Sequence, residues 1–431
     1  MKKLFVVLSL LLVVMMLVTA CGAKATPAPA PAPTAAPAAA AEPTKAPEPT
    51  KAPEPTQAPE ATAAPEAAKP AAATITLWHG WTGAEADTLA EVIKAFQDAS
   101  PGVTVETLAV PFDQLKNKFT TEASTGGGPE LLIGPKDWIG ELAQANLIMP
   151  LDELASQIGL NNLNQSAVDA NKFQGKVWAF PESTEAVALW YNKDKVKDAP
   201  KSIEELLKQA AEVGLAYNSG FYHSAGLLLG GGGKVLDANQ ACALDQGNSV
   251  VDALTFIQNA KGTPNVITDG DGGKLDAAFR DGKVGFVFNG PWATGDYVKA
   301  LGADKLGIAE PIALPNGKFA PFLGTKNVFL SANSKGGPAL DFLKFMSQPE
   351  TQAMLTKVGH IPSNPNVKVD DPFIAAFLKQ TASASYFPNE PEMGAVWTPA
   401  GDMIIKVIEG KSTPADAVKE ACATINAANK K

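Results

Sequence analysis

The stretch TITLWHGWTGAEADTLAEVIKAFQDASPGVTVETL, residues 74–108, decides the fold. Its first five residues, TITLW, predict a strand. A helix over residues 84–99 follows, because apolar residues recur there at the three- and four-residue spacing of one helical face: Leu89, Val92, Ile93 and Phe96. Ser100-Pro101-Gly102 ends that helix, and residues 103–108 predict a second strand.

The same alternation continues toward the C-terminus. Residues 111–124 predict a second helix, and ELLIG at 130–134 predicts a third strand after a glycine-rich break. Strands that alternate with helices usually pair in parallel, so we expect an α/β fold with mostly parallel sheets. Later elements follow the same signals, with strands at 283–288 and 326–331 and helices at 337–346, 350–358, 371–382, 394–409 and 413–427.

A targeting signal opens the chain. Lys2 and Lys3 precede the apolar residues 4–18, a run shorter than the roughly 20 residues that span a bilayer. Small residues and Cys21 follow, which predicts a lipoprotein signal peptide over residues 1–20, with lipid on the Cys21 thiol. An uncleaved anchor or a plain signal peptide is the alternative, and each version places the remaining chain outside the cytoplasm.

Residues 21–73 join the lipidated cysteine to the folded part. Thirteen of the chain's 34 prolines lie there, and the hexapeptides PTKAPE, PTKAPE and PTQAPE follow one another from residue 43 to residue 60. A segment without aromatic residues cannot bury enough apolar surface to offset the entropy of ordering. We therefore predict a disordered, extended Pro/Ala-rich tether.

Composition excludes several classes of function. The net charge is −9 and no basic run occurs, which argues against nucleic acid as a partner and leaves the lipid as the only membrane attachment. Three histidines and three cysteines are too few for most zinc sites. The glycines at 230–233 lack the Lys-Ser/Thr of a phosphate loop, and residues 269–271 lack the later ligands of a calcium loop. We predict no metal and no cofactor.

One pair of carboxylates could support an enzyme. Glu182 and Glu185 follow Pro181 closely, and glycosidases use two carboxylates. Single carboxylates also hydrogen-bond sugar hydroxyls without hydrolysis. We expect binding rather than catalysis.

Aromatic residues give the positive signal. Four of the seven tryptophans stand at strand ends, in turns or at helix starts, namely Trp81, Trp138, Trp292 and Trp397. The apolar faces of sugar rings stack on indole or phenol, whereas sugar hydroxyls need carboxylates and amides. Trp178 and Trp190 lie inside strand-like runs, and we expect them in the core.

Four motifs carry a resemblance to a known family over residues 74–427. They are GGPELLIGPKDWIGELAQANLIMPLDEL (127–154), GKVWAFPESTEAVALWYNKD (175–194), AAFRDGKVGFVFNGPWA (277–293) and PEMGAVWTPAGDMI (391–404). In this order they resemble the family 1 extracellular solute-binding proteins of ABC importers, and most of all the maltose/maltodextrin-binding branch.

The resemblance implies a type II periplasmic-binding-protein clamshell with two α/β lobes and three crossovers. The crossovers are expected near Ser183, Phe322–Lys326 and Asn366–Asp370. Residues 74–183 and 327–366 then form the N-terminal lobe, and residues 184–322 and 370–431 form the C-terminal lobe. Ligand binds in the cleft and closes the hinge.

The resemblance also assigns ligand contacts to single residues. Asp137 and Glu185 match carboxylates that bind sugar hydroxyls, and Tyr222, Trp292 and Trp397 match stacking residues. Two simpler interpretations stay open, in which Asp137 caps a helix and Trp292 anchors the core.

The chain departs from the family at charged positions and at one aromatic position. Thr82-Gly83 stands where the branch has Asp-Lys, Gly134 where it has tryptophan, and Trp138 and Gly401 where it has arginines. We expect Trp81 and Trp138 to supply the lost stacking from other backbone positions.

The implied function is that of a monomeric lipoprotein on the outer face of the cell membrane, which captures a maltodextrin-like oligosaccharide and delivers it to ABC permease subunits. A binding protein for another sugar or a polyamine is the main alternative. A glycoside hydrolase lipoprotein fits the sequence less well than either binding protein. A purely adhesive lipoprotein would not need the motifs that resemble interdomain crossovers. The single arginine, Arg280, argues against an anionic ligand.

Two cysteines remain once Cys21 carries lipid. Cys242 and Cys422 are both outside the cytoplasm, where disulfides persist, and the resemblance places both in the C-terminal lobe. We expect a disulfide between them. The alternative is that each is a small buried hydrophobic residue.

Overall fold

The computed structural model describes residues 72–431, apart from the side chains of residues 385 and 386. The predicted signal peptide, Cys21 and nearly all of the predicted tether lie outside the described residues. No helix in the described part is both long enough and apolar enough to cross a membrane.

Strands and helices alternate along the chain. The strands are β1 Ala73–His79, β2 Val103–Ala109, β3 Leu131–Pro135, β4 Lys172–Phe173, β5 Lys176–Val177, β6 Phe180–Glu185, β7 Ala188–Asn192, β8 Leu215–Asn218, β9 Val266–Asp269, β10 Phe286–Asn289, β11 Leu306–Ile308, β12 Ala313–Leu314, β13 Gly317–Lys318, β14 Phe322–Leu330, β15 Ile361–Pro362 and β16 Ser385–Tyr386. The helices are α1 Gly83–Ala99, α2 Phe112–Ala123, α3 Ile139–Gln144, α4 Gln165–Asp169, α5 Ile203–Val213, α6 Phe221–Leu228, α7 Ser249–Ala260, α8 Gly272–Arg280, α9 Thr294–Leu301, α10 Pro338–Met346, α11 Pro349–Thr356, α12 Pro372–Thr381, α13 Trp397–Ile408 and α14 Pro414–Asn429.

The first sheet has seven strands in the order β15-β6-β14-β3-β1-β2, with β16 paired to β14. β1 runs parallel to β2 and β3, as the strand–helix alternation predicts. β14 runs antiparallel to both β3 and β6. Because β14 lies inside this sheet, it is buried from Gly324 to Leu330, which accounts for its apolar sequence.

The second sheet has five strands in the order β11-β7-β10-β8-β9. β8 runs parallel to β9 and β10, whereas β7 runs antiparallel to β10 and β11. The predicted α/β fold is therefore confirmed, but its sheets are mixed and not mostly parallel as expected, because β7 and β14 run antiparallel to their neighbours in the two sheets. Antiparallel pairs occur where the chain returns from one sheet to the other.

The chain passes between the two sheets more than once. Ala186 and Val187 connect β6 of the first sheet to β7 of the second, and β14 brings the chain back to the first. After β15 the chain enters α12, where Phe373 and Phe377 pack against Trp190 of β7. The residue boundaries of the two predicted lobes stay a prediction.

The apolar stripe of α1 faces the first sheet. Leu89, Val92, Ile93 and Phe96 are all buried, as their spacing predicts. The five later helices are confirmed, with ends that differ from the predicted ones by up to three residues. The predicted strand at 283–288 begins at Phe286 instead. Lys283 closes the turn after α8, because its N–H donates to the Ala278 carbonyl oxygen at 2.9 Å.

The second sheet is covered by α13 and α14 together with the segment between α6 and α7. Cys242 in that segment and Cys422 in α14 form a disulfide, with their Cα atoms 5.2 Å apart. The Cys242 N–H also donates to Asn426 Oδ1 at 2.8 Å. Because both cysteines belong to the core beside the second sheet, the bridge ties α14 to that core.

Candidate ligand-binding site

Three aromatic residues from separate elements meet beside the second sheet. Tyr222 is the second residue of α6, Trp292 lies in a short helical turn after β10, and Trp397 begins α13. The Tyr222 ring centroid lies 6.1 Å from that of Trp292 and 6.3 Å from that of Trp397. All three side chains are half-buried. We call these three residues the aromatic wall.

Sheet topology explains why two members of the wall meet. β8 and β10 are parallel neighbours, so their carboxyl ends lie at the same edge of the sheet. Tyr222 follows β8 and Trp292 follows β10, and both therefore emerge at that edge, where open α/β sheets bind ligands. The turn needs Gly290, since a Cβ at that position would lie 2.0 Å from the Trp292 ring.

Glu185 joins the wall to the first sheet. Glu185 ends β6, and its Oε1 accepts a hydrogen bond from the Tyr222 hydroxyl at 3.2 Å. Gly324 of β14 leaves room for this pair, because a Cβ there would lie 3.1 Å from Glu185 Cγ and 3.2 Å from the Tyr222 oxygen. Burial raises the pKa of the Glu185 carboxyl, and burial together with Glu185 raises the pKa of Tyr222. A buried carboxylate with one donor has further lone pairs for a sugar hydroxyl.

The Asp137 carboxylate interacts electrostatically with the Tyr222 hydroxyl of the wall. Asp137 occupies the helical turn Lys136–Trp138 directly after β3, and its carboxylate contributes to the raised pKa of Tyr222. Burial raises the pKa of Asp137 itself to about 6, against the opposing effect of the Lys116 ammonium. The N-cap position of this turn is Pro135, and a ligand contact of Asp137 stays a prediction.

The two remaining predicted residues lie deeper in the first sheet's packing. Trp138 is 5% exposed, and its ring covers Gly134, where a Cβ would lie 2.5 Å from the indole. Trp81 is 8% exposed and meets the His360 ring edge-on at 4.9 Å. Among the ring pairs formed within residues 72–431, neither tryptophan pairs with a member of the wall. Trp138 places its indole over Gly134, and the stacking of either tryptophan on a ligand stays a prediction.

A group of buried charges beside the wall was not predicted from the sequence. It consists of Glu85, Glu182, Lys326 and His360, which we call the charged cluster. His360 Nε2 lies 2.7 Å from Glu85 Oε1, and its Nδ1 lies 3.0 Å from both oxygens of Glu182. Lys326 pairs with Glu85 and has its Nζ 3.2 Å from His360 Nε2. Each charge therefore has an opposite charge within hydrogen-bonding distance.

The pKa values in the charged cluster reflect this pairing. Burial alone would lower the pKa of His360, but the carboxylates of Glu182 and Glu85 outweigh it and raise that pKa. Burial alone would raise the pKa of Glu85, but Lys326 and His360 lower it. The pKa of Lys326 is raised, because Glu85 and Glu185 outweigh burial. These shifts favour a Glu85 carboxylate facing the Lys326 ammonium and the His360 imidazolium.

The charged cluster also reaches the second sheet. Lys326 Nζ lies 5.4 Å from the centroid of the Trp81 ring and 5.8 Å from that of Trp292, within cation–π range of both. Nearby, the Ala84 N–H at the start of α1 donates to Asp296 Oδ1 of α9 at 3.2 Å. Elements of the two sheets therefore contact each other beside the aromatic wall.

One sequence signal could have revealed the cluster. Lys326 stands inside the apolar strand β14, and a buried lysine requires a partner of opposite charge. Its partners come from α1, β6 and the residue before β15, which no spacing rule connects. Within residues 72–431, no group of three or more His, Cys, Asp or Glu residues is arranged to hold a metal ion.

Comparison with known proteins identifies the class of molecule. A family profile described as "Bacterial extracellular solute-binding protein" matches residues 91–380. A maltooligosaccharide ABC transporter solute-binding lipoprotein of Streptococcus pneumoniae is 30% identical over 78% of this chain and 84% of its own. A maltotriose-binding protein of Pyrococcus abyssi is 28% identical over 77% of this chain and 76% of its own.

Solved structures agree with this result. The Thermus thermophilus maltotriose-binding protein with bound maltotriose superposes with a TM-score of 0.76. It is 33% identical in sequence, and the match covers 82% of this chain and 100% of that one. The similarity confirms the predicted two-lobed periplasmic-binding-protein fold.

Proposed function

The chain belongs to the bacterial extracellular solute-binding proteins, and from that premise we propose that it captures a malto-oligosaccharide and delivers it to an ABC importer. Members of this family bind solutes and are not enzymes. Ligand would lie against the aromatic wall and exchange hydrogen bonds with Glu185 and Asp137. The loaded protein would then dock on the permease subunits of the importer.

One observation supports the choice of a sugar. The Tyr222 ring centroid lies 6.1 Å from that of Trp292 and 6.3 Å from that of Trp397, and its hydroxyl donates to Glu185. This arrangement places half-buried aromatic faces beside a buried carboxylate, which are the two kinds of group that a pyranose needs. The relatives named for maltotriose and malto-oligosaccharides point to glucose units in particular.

A polyamine is the ligand class most in need of a test, because acidic residues beside aromatic rings also bind organic cations. Lys326 argues against it, since a buried ammonium lies 5.8 Å from the Trp292 ring. Calorimetric titration with maltotriose and with spermidine separates the two classes. We expect saturable heat at one site per chain with maltotriose and none with spermidine. Heat with spermidine alone, or with neither compound, would refute the sugar assignment.

We also propose that the protein is a monomer held at the outer face of the membrane by lipid on Cys21. The support is the sequence around that cysteine and a relative named as a lipoprotein. A Cys21→Ser variant should leave the membrane fraction and lose the mass of the lipid. If membrane association and mass are unchanged, the anchor is elsewhere.

A further inference from the structure

Phe112 is an aromatic side chain that the proposed site does not use. It is the first residue of α2, and it is 58% exposed, although phenylalanine normally favours burial. An aromatic surface kept in water is available to a ligand, because covering it releases on the order of 25 cal/mol for each Å². The position of Phe112 in the fold indicates which kind of ligand could bind to it.

Phe112 and Trp138 form one aromatic surface, which we call the outer platform. Their ring centroids lie 5.6 Å apart with an angle of 32° between the planes. Two glycines make the platform possible. A Cβ on Gly134 would lie 2.5 Å from the Trp138 ring, and a Cβ on Gly80 would lie 3.3 Å from Phe112. The Trp138 ring is therefore buried beneath Phe112, and the Phe112 ring is exposed to solvent.

The outer platform lies at the ligand-binding edge of the first sheet. Gly80 follows β1 and Gly134 lies in β3, and these two strands are parallel neighbours. Their carboxyl ends therefore share one edge, which is where α/β sheets bind ligands. Trp81, the residue after Gly80, has its ring centroid 5.4 Å from Lys326 Nζ, and the same Nζ lies 5.8 Å from the Trp292 ring of the aromatic wall. The end of β1 that carries Gly80 therefore lies beside the proposed sugar site.

Polar groups suited to sugar hydroxyls surround the platform. Lys116 lies one turn after Phe112 on α2, and its ammonium contacts Glu141 Oε2 at 2.8 Å. The same ammonium acts on the carboxyl of Asp137. Lys116 and Glu141 keep a quarter to a third of their side-chain surface exposed, at 25% and 35%. An exposed ring beside partly exposed donors and acceptors has the composition of a sugar subsite.

We propose that the outer platform is a subsite for one further glucosyl unit of a longer malto-oligosaccharide, so that Phe112 makes affinity depend on chain length. This inference rests on the proposed function. It adds that short oligomers fill only the region of the aromatic wall, whereas longer oligomers also stack on Phe112.

The test is a calorimetric series from maltose to maltohexaose on the parent protein, Phe112→Ala and Phe112→Tyr. The parent should bind longer oligomers more tightly than maltose. Phe112→Ala should leave maltose affinity within twofold and weaken the longer oligomers roughly five- to tenfold, the range expected for one lost aromatic stacking contact. Phe112→Tyr keeps the ring and should retain the chain-length dependence.

Leu378→Ala serves as the matched control. Leu378 lies on α12 and is 49% exposed, so this change also removes an exposed apolar side chain, but far along the chain from the platform. It should leave the whole series unchanged. If the parent binds no member of the series, the proposed function fails. If the parent binds but Phe112→Ala changes every length equally, or changes none, the proposed function stands and the outer subsite is refuted.

Discussion

The aromatic wall and the charged cluster are neighbours that differ in what they leave exposed. The wall keeps three rings half-buried, with part of their surface exposed to solvent. In the charged cluster, Glu182 and His360 are 2% and 1% exposed, and each charge faces an opposite one. The difference is consistent with two roles. Incomplete burial leaves ring surface for the proposed ligand, and complete pairing lets the buried charges stabilise the fold beside it.

Removing the lysine from the charged cluster is the change with the largest expected effect. Lys326→Met leaves Glu85 buried without its ammonium, and an unpaired buried charge costs about 3–5 kcal/mol of the free energy of unfolding. Urea unfolding, extrapolated linearly to water, measures the change.

Lys94→Met is the matched control for that experiment. Lys94 pairs with Asp98 at 2.6 Å, but both side chains are largely exposed, at 73% and 66%. A pair of this kind contributes roughly 0–1 kcal/mol. Equal unfolding midpoints for Lys326→Met and Lys94→Met would contradict the role given to the charged cluster.

The two regions should also respond to pH with opposite signs. His223 meets the Trp292 ring edge-on at 6.1 Å, and burial lowers its pKa from 6.5 to about 4. Its neutral form is favoured in the folded state, so its contribution is present above pH 6.5 and is lost as the pH falls toward 4. The upper limit is about 3 kcal/mol, reduced by its partial exposure.

His360 in the charged cluster has a raised pKa, so its contribution behaves in the reverse way. It is fully present below about pH 6.5 and is lost as the pH rises through the folded-state pKa. The measurement is the free energy of unfolding against pH for the parent, His223→Gln and His360→Gln. The first variant should flatten the loss on the acid side, and the second should flatten the loss on the alkaline side. Slopes identical to the parent's in both variants would show that neither imidazole is perturbed.

The family resemblance predicted the three members of the wall, but the sequence could not predict the cluster. Trp292 follows Asn-Gly-Pro at the end of β10, so its place at the carboxyl end of a strand can be recognised from adjacent residues. Glu85 and His360 are 275 positions apart, and they meet only because α1 and the segment before β15 pack on the same sheet. Pairing of that kind depends on tertiary register, which spacing along the chain does not contain.

The packing of Trp138 also depends on tertiary structure. The sequence indicated an aromatic residue near the cleft, but it could not show that Gly134 provides the space under the indole. That contact depends on how the turn after β3 folds back over the strand. For the same reason, the exposure of Phe112 beside Trp138 became visible only in the structure.

Calorimetric titration tests most directly whether the aromatic wall is the binding surface. Maltotriose is titrated into the parent, Trp292→Ala, Trp397→Ala and the control Trp178→Ala. Trp178 is also half-buried, but it packs beside the first sheet and donates its indole N–H to the Phe173 carbonyl oxygen. We expect each wall variant to lose about 2–4 kcal/mol of binding free energy, as aromatic hot-spot residues do, and Trp178→Ala to bind as the parent does. If both wall variants bind maltotriose as tightly as the parent, the aromatic wall is not the binding surface.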